Sequence, residues 1–233
     1  MQSSTPVFDI PFFKSYMDEA PTKENGWILA HEGPVEKKTP ESTLKVYKKL
    51  VEGEPTVTIK TEGYFKGVKA ENLFTMFKDI SYREKLGHKP KVIKVVEQIN
   101  KNSDVIYVEL DLPFPMTNRD MVQKRLYLGN KEDADLVREL GLYQKDHKYY
   151  AVLVQSTERP EYPAKSKPIR AEIKIQFVLI EEDPKDPEST RISMVMCQKM
   201  NGDVPNMLIN KISTKMPVGM MTGFVELYRK TFN

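Results

Sequence analysis

Few groups in this sequence are equipped for covalent chemistry, and none stands in a working arrangement. Cys197 lies mid-strand beside Met196 and reads as a small core residue rather than a nucleophile. His31, His88 and His147 are far apart and lack metal-ligand spacing, so no metal and no cofactor is expected. Glu109, Asp111 and Asp120 are near one another, but ordinary strand charges account for them. Gly-x-Ser-x-Gly, His-Glu-x-x-His and phosphate-loop glycines are missing, and the expected protein is not an enzyme. What remains is non-covalent chemistry carried by long polar side chains on strands. Alternation puts Met121, Gln123 and Arg125 on one face, and Glu172, Lys174 and Gln176 on one face. Such rows of guanidinium, ammonium and amide groups suit an anion such as a phosphate.

A second signal is the stretch Pro113-Phe114-Pro115-Met116-Thr117-Asn118-Arg119-Asp120 between two apparent strands. Its two prolines forbid regular pairing and hold it extended. Phe114 and Met116 are apolar in a segment that should be solvated. Two readings stay open on local sequence: a loop that tucks its side chains inward, or a lid or membrane-touching tip.

The elements that must position these residues follow from periodicity. Phe8–Ala20 reads as a short helix ending before Pro21. Gly26–Glu32, Thr43–Leu50 and Val57–Phe65 read as strands. Leu73, Phe74, Phe77 and Ile80 mark a helix over Ala70–Ile80, with Ser81 as cap of a short piece Tyr82–Gly87. Strands are expected at Val92–Asn100, Asp104–Leu112, Asp120–Leu128, Lys148–Thr157, Pro168–Ile180 and Thr190–Lys199, with a helical insert at Asp133–Leu140. Short connections favour antiparallel pairing. Leu208, Ile212, Met216, Met220, Phe224 and Leu227 mark a long amphipathic last helix, which Pro217 and Gly219 should bend.

The expected fold is therefore α+β: a curved antiparallel sheet of about nine strands closed by its C-terminal helix. A single domain over residues 1–233 is expected, with 1–25 as helix and lead-in. One helix cannot fill the concave face of such a sheet, so an internal cavity is expected. By strand alternation Ile106, Val108, Leu110 and Met121 are expected to line it.

The remaining 39% apolar, 30% charged composition bounds the setting. The net charge of +3, from 36 basic and 33 acidic residues, is too balanced for a nucleic-acid partner, while an anionic membrane surface stays compatible. Pro6, Asp9 and Pro11 interrupt any leader-like apolar run, and the longest apolar runs elsewhere are strand-sized. A monomer in the cytoplasm is expected.

Four segments, in order, resemble the START domain family: Pro113 to Val122; Asp79-Ile80-Ser81-Tyr82-Arg83; Pro168-Ile169-Arg170-Ala171-Glu172; and Asn201-Gly202-Asp203-Val204-Pro205-Asn206-Met207-Leu208-Ile209-Asn210. The resemblance runs from about Gly26 to the C-terminus, with most likeness to the phosphatidylcholine-transferring subgroup. It implies a helix-grip fold, one lipid in an internal cavity, and transfer of that lipid between membranes without covalent chemistry. It also implies that Phe114 and Met116 form a gate and membrane contact together with Ile212, Met216 and Met220 of the last helix.

Residue by residue, the resemblance implies that Arg83 binds a phospholipid phosphate, assisted by Gln176. The position of a further phosphate-binding tyrosine is Phe77 here, also assigned to the cavity wall. The three aromatic positions that would cage choline are Val108, Met121 and Lys174, so an aromatic choline cage should be missing. Arg125, Lys174 and Gln123 join the headgroup set by alternation. Glu172 is an alternative partner that would neutralise Lys174. Sterol-binding relatives oppose an acid to an arginine at the position of Arg125; the acid aligns with Ile106, so a phospholipid is favoured over a sterol. A lipid-sensing module or a sterol carrier is the alternative function.

Overall fold

The computed structural model describes residues 7–50, 56–87, 89–112, 114–130, 134–142, 146–202, 204 and 206–232. Chain order is α1 (Ile10–Asp18), β1 (Ile28–Glu36), β2 (Thr39–Leu50), β3 (Thr56–Phe65), α2 (Ala70–Lys78), α3 (Ile80–Glu84), β4 (Val92–Asn100), β5 (Ser103–Leu110), β6 (Arg119–Leu128), α4 (Ala134–Glu139), β7 (Tyr149–Ser156), β8 (Ile169–Arg170), β9 (Glu172–Asp183), β10 (Asp186–Lys199) and α5 (Asn206–Phe232).

Nine strands form one path, β1-β2-β3-β10-β9-β7-β6-β5-β4, with antiparallel pairing throughout. The tenth strand, β8, is a two-residue segment parallel to β6. The expected single strand over Pro168–Ile180 is thus broken. Ala171 turns aside to bond Asp120, and β9 begins only at Glu172.

The central strands are covered on both sides, which explains continuous apolar runs such as Ala151–Val154 and Phe177–Ile180. On the outer face Phe13 of α1 and Val137 of α4 pack with Leu126, Leu153, Phe177 and Cys197. Asp9 starts α1 by accepting the Phe12 amide at 3.0 Å. Lys60 reaches from β3 to the carbonyls of Met17 and Glu19 at the end of that helix.

Two helical pieces, not one, occupy the concave face. The helix α5 lies over β1–β3, while α2 crosses β7, β9 and β10. Between them Phe77 stacks on Phe224 with ring centres 4.5 Å apart, and Phe74 stacks on Tyr150 at 4.8 Å. This corrects the expectation that a single helix would leave the hollow largely unfilled. The break between α2 and α3 is made by Asp79. Its amide closes the last turn of α2 on Thr75, and its carboxylate accepts the Ser81 amide at 2.8 Å. Asp79, not Ser81, is therefore the cap.

The chain reverses from β10 into α5 through two left-handed residues, Asn201 (φ 48°) and Gly202 (φ 66°). A Cβ on Gly202 would meet Ile169 Cδ1 at 2.9 Å, so glycine is required there both by conformation and by space. Pro217 lies inside α5, whose helical assignment continues through it.

Candidate functional site

What remains of the hollow is a cavity of about 60 Å³ at one end of the concave face. Val108 and Leu110 of β5, Met121 and Gln123 of β6, and Ile173 and Gln176 of β9 form its floor. Met194, Met196 and Gln198 of β10 continue the floor, and Met216, Pro217 and Met220 of α5 close the top. Arg83, carried in by the short helix α3, stands at the side.

Arg83 is the electrostatic anomaly of the molecule. Its Nε is buried with no hydrogen-bond partner, and among the described residues no carboxylate pairs with it. Burial, and then the charge of nearby Arg125, push its pKa down to about 10. It therefore stays protonated at neutral pH: a half-buried cation with an enclosed Nε and, among the described residues, no counter-ion.

Arg125 is differently placed. Directly across the strand pair stands Asp104, which accepts Nε at 2.8 Å and Nη2 at 2.7 Å. The Tyr127 hydroxyl adds a bond to the same carboxylate at 3.2 Å, and burial raises the pKa of that phenol. Both ions are buried and satisfied. Arg125 thus does not line the cavity as a free headgroup group. The carboxylate facing it exists, but two residues before Ile106, the position expected from sequence.

Lys174 is a second correction. Register along β9 and β10 shifts between the pairs Ile175–Cys197 and Ile173–Gln198, leaving Lys174 as the extra residue of a bulge. Alternation is reset there, so Gln176 lines the cavity and Lys174 does not. Glu172 is exposed, and no ion pair joins it to Lys174.

Of the other expected residues, Gln123, Gln176, Val108, Leu110 and Met121 come together around the cavity with Arg83. Ile106 and Phe77 are buried in the inner core, away from the remaining space. Met216 and Met220 line the cavity from α5, while the side chain of Ile212 lies outside the described residues, as does Pro113. Phe114 is 97% exposed and Met116 half-buried, so the loop does not tuck its phenylalanine inward.

Two residues were missed at the level of sequence. Gln198 points to the cavity and donates to Met121 Sδ at 3.5 Å, as Gln123 does. Its alternation with Met194 and Met196 was the available signal. Arg119 is fully buried, and among the described residues no carboxylate pairs with it. Its guanidinium donates to the carbonyls of Met200 (2.8 Å), Asn201 (2.9 Å) and Thr117. It thereby ties the base of the Phe114 loop to the residues that precede α5. Beside it, Arg170 grips Asp120 at 2.8 and 3.0 Å, and Asn201 donates to the Arg170 carbonyl.

Three larger concavities, of about 370, 640 and 610 Å³, are open clefts elsewhere on the surface. Several charged side chains around them are already engaged, as in Lys14–Asp18, Arg159–Glu97 and Arg191–Asp183. Among the described residues no acidic, histidine or cysteine group could hold a metal, and no helix is long and apolar enough to cross a membrane.

A curved antiparallel sheet clasped by its last helix over an apolar hollow is the helix-grip architecture, a ligand-enclosing class of fold. The START domain model matches residues 14–230, and the chain belongs to that family. It is similar to the phosphatidylcholine transfer protein of Mus musculus, 30% identical over 169 residues that cover 72% of each chain. Mouse START domain-containing protein 10 is 25% identical over 214 residues, 91% of this chain and 64% of that protein. Among solved structures, human STARD10 superposes with a TM-score of 0.73 at 23% identity, covering 99% of this chain and 83% of that one. Human StAR-related lipid transfer protein 5 superposes at 0.70 with 15% identity, over 95% and 93% of the two chains, a likeness of fold.

Proposed function

We propose that the protein takes one phospholipid into this hollow and carries it between membranes. The observation that carries the reading is Arg83, a half-buried guanidinium whose enclosed Nε has no partner, at the wall of a methionine-lined cavity. A phosphate is the partner such a fork accepts bidentately. Gln176 supplies a neutral donor beside it. Membership of the family and the names of its transfer-protein relatives support the same class of cargo.

The cavity of about 60 Å³ is smaller than a ligand pocket of roughly 300–1,000 Å³. Loading therefore requires α5 to swing outward. Pro217 offers the hinge, because no backbone N–H is present there to bond the preceding turn. Met216 and Met220 can re-pack against varied acyl chains. Exposed Phe114 dips into the bilayer surface while the gate is open. Two long acyl chains would cost on the order of 25 kcal/mol to expose to water at about 0.8 kcal/mol per CH₂. Passage from one oily interior to another avoids that cost, so the protein acts by lowering a barrier. We further propose a monomer that visits membranes transiently from the cytoplasm, with no nucleic-acid partner and no catalytic role.

The test is transfer of labelled phospholipid between donor and acceptor vesicles. Transfer should rise in proportion to protein concentration. A lipid-sensing module would bind lipid yet move none. A sterol carrier would move cholesterol in preference to phospholipid.

A further inference from the structure

Resting on the phospholipid reading, we infer that the preferred cargo is a monoanionic phosphodiester lipid with a hydroxyl-bearing headgroup, of the phosphatidylglycerol or phosphatidylinositol kind, rather than a choline lipid. Among the described residues that line the cavity, Arg83 is the one charged group. A phosphodiester with an uncharged headgroup cancels that charge and leaves the closed site neutral. A zwitterionic lipid cancels it too, but brings a second cation that must also be buried.

That second cation would find no partner of its own. Asp104 is committed through both oxygens to Arg125. Among the described residues no aromatic ring lines the cavity; Phe77 is spent on Phe224, and the Tyr127 hydroxyl is held by Asp104. The cation–π attraction that could hold a trimethylammonium is therefore missing. In place of rings the wall offers three amides, Gln123, Gln176 and Gln198. Each amide both donates and accepts, which matches a hydroxyl that does the same. Two of these amides currently donate to Met121 Sδ at 3.5 Å, and thioether sulfur is a weak acceptor. A headgroup hydroxyl is the better acceptor, so the exchange is favourable.

The deciding experiment offers the protein vesicles with equal amounts of phosphatidylcholine, phosphatidylethanolamine, phosphatidylglycerol and phosphatidylinositol, all with identical acyl chains. Lipid extracted into the protein is counted by mass spectrometry. Because the four classes share one vesicle, surface charge acts on all of them equally. The expected result is about a tenfold excess of phosphatidylglycerol or phosphatidylinositol over phosphatidylcholine, equivalent to about 1.4 kcal/mol. Equal extraction, or an excess of either zwitterionic class, overturns the inference while leaving the carrier reading intact. Extraction of no phospholipid at all sinks both. Gln198→Glu adds a carboxylate to the wall at nearly constant shape. It should raise the ratio of ethanolamine to glycerol lipid about tenfold; an unmoved ratio removes the amides from headgroup selection.

Discussion

Arg83 and Arg125 lie in one electrostatic neighbourhood but differ in what surrounds them. Arg125 has its carboxylate opposite; Arg83 has none among the described residues. Replacing Arg83 by Met should abolish phospholipid extraction and yet raise the melting temperature of the ligand-free protein, since an unpaired buried charge is removed. A gain of one kcal/mol corresponds to about 2–4 °C in a chain of this size. The pH sign agrees. The folded pKa of Arg83, about 10, lies below its ordinary value. The charge penalty is thus in force at all lower pH and fades as pH rises through about 10. Extraction should be flat near neutrality and fall above that point, as a pH series of vesicle extraction would read. Asp104→Asn makes the opposite case, stranding Arg125, and should cost roughly 3–5 kcal/mol. Thermal unfolding should register the loss, and Asp104→Asn combined with Arg125→Met should restore most of it. The place of Arg83 at the cavity was legible from the Asp-x-x-Tyr-Arg pattern, but its lack of a partner among the described residues was not. Asp79 and Glu84 are equally near in sequence, and only the fold turns the guanidinium away from both.

At the scale of elements, strands and helices were legible because their periods are strong. β4 matches its expected bounds, and most other strands differ by a few residues at their ends. The failures are local and physical. A bulge leaves no mark on the sequence, so one extra residue at Lys174 inverted every parity argument made through it. Arg125 was legible as a polar residue on the same strand face as Met121, but its neutralisation by Asp104 depends on register with β5. The two elements proposed as the gate give separate predictions. Phe114→Asp should slow vesicle transfer several-fold while leaving the melting curve unchanged, because the ring touches almost nothing in the folded chain. Unchanged transfer rates would remove the loop from the mechanism. Pro217→Ala restores a backbone N–H to α5 and should stiffen it, with a stabilisation of up to about 3 kcal/mol and slower lipid uptake. Faster uptake would place the hinge elsewhere.

For the whole molecule, the outline was legible and the interior was not. The count of strands and the closing helix imply a hollow, but they do not reveal that α2 fills much of it from the other side. The described state is thus a closed one, and its remaining space is far below a lipid's volume. Hydrogen exchange should therefore be faster over residues 213–220 in the lipid-free protein than in the loaded one, while β7 and β9, covered on both faces, should not differ. Equal protection of α5 in both states would count against an opening helix. The contrast follows from burial: central strands are locked by two cores, and the lid by one. Arg119 couples the proposed gate loop to the proposed lid. Its single fork clasps carbonyls at the base of the Phe114 loop and in the turn ahead of α5, those of Thr117 and of Met200 and Asn201. A tug on the aromatic tip is therefore transmitted to the root of the helix through one rigid plane of atoms. On the proposed carrier reading, bilayer contact is the key that unlocks the vessel, and in open water it stays shut around its freight.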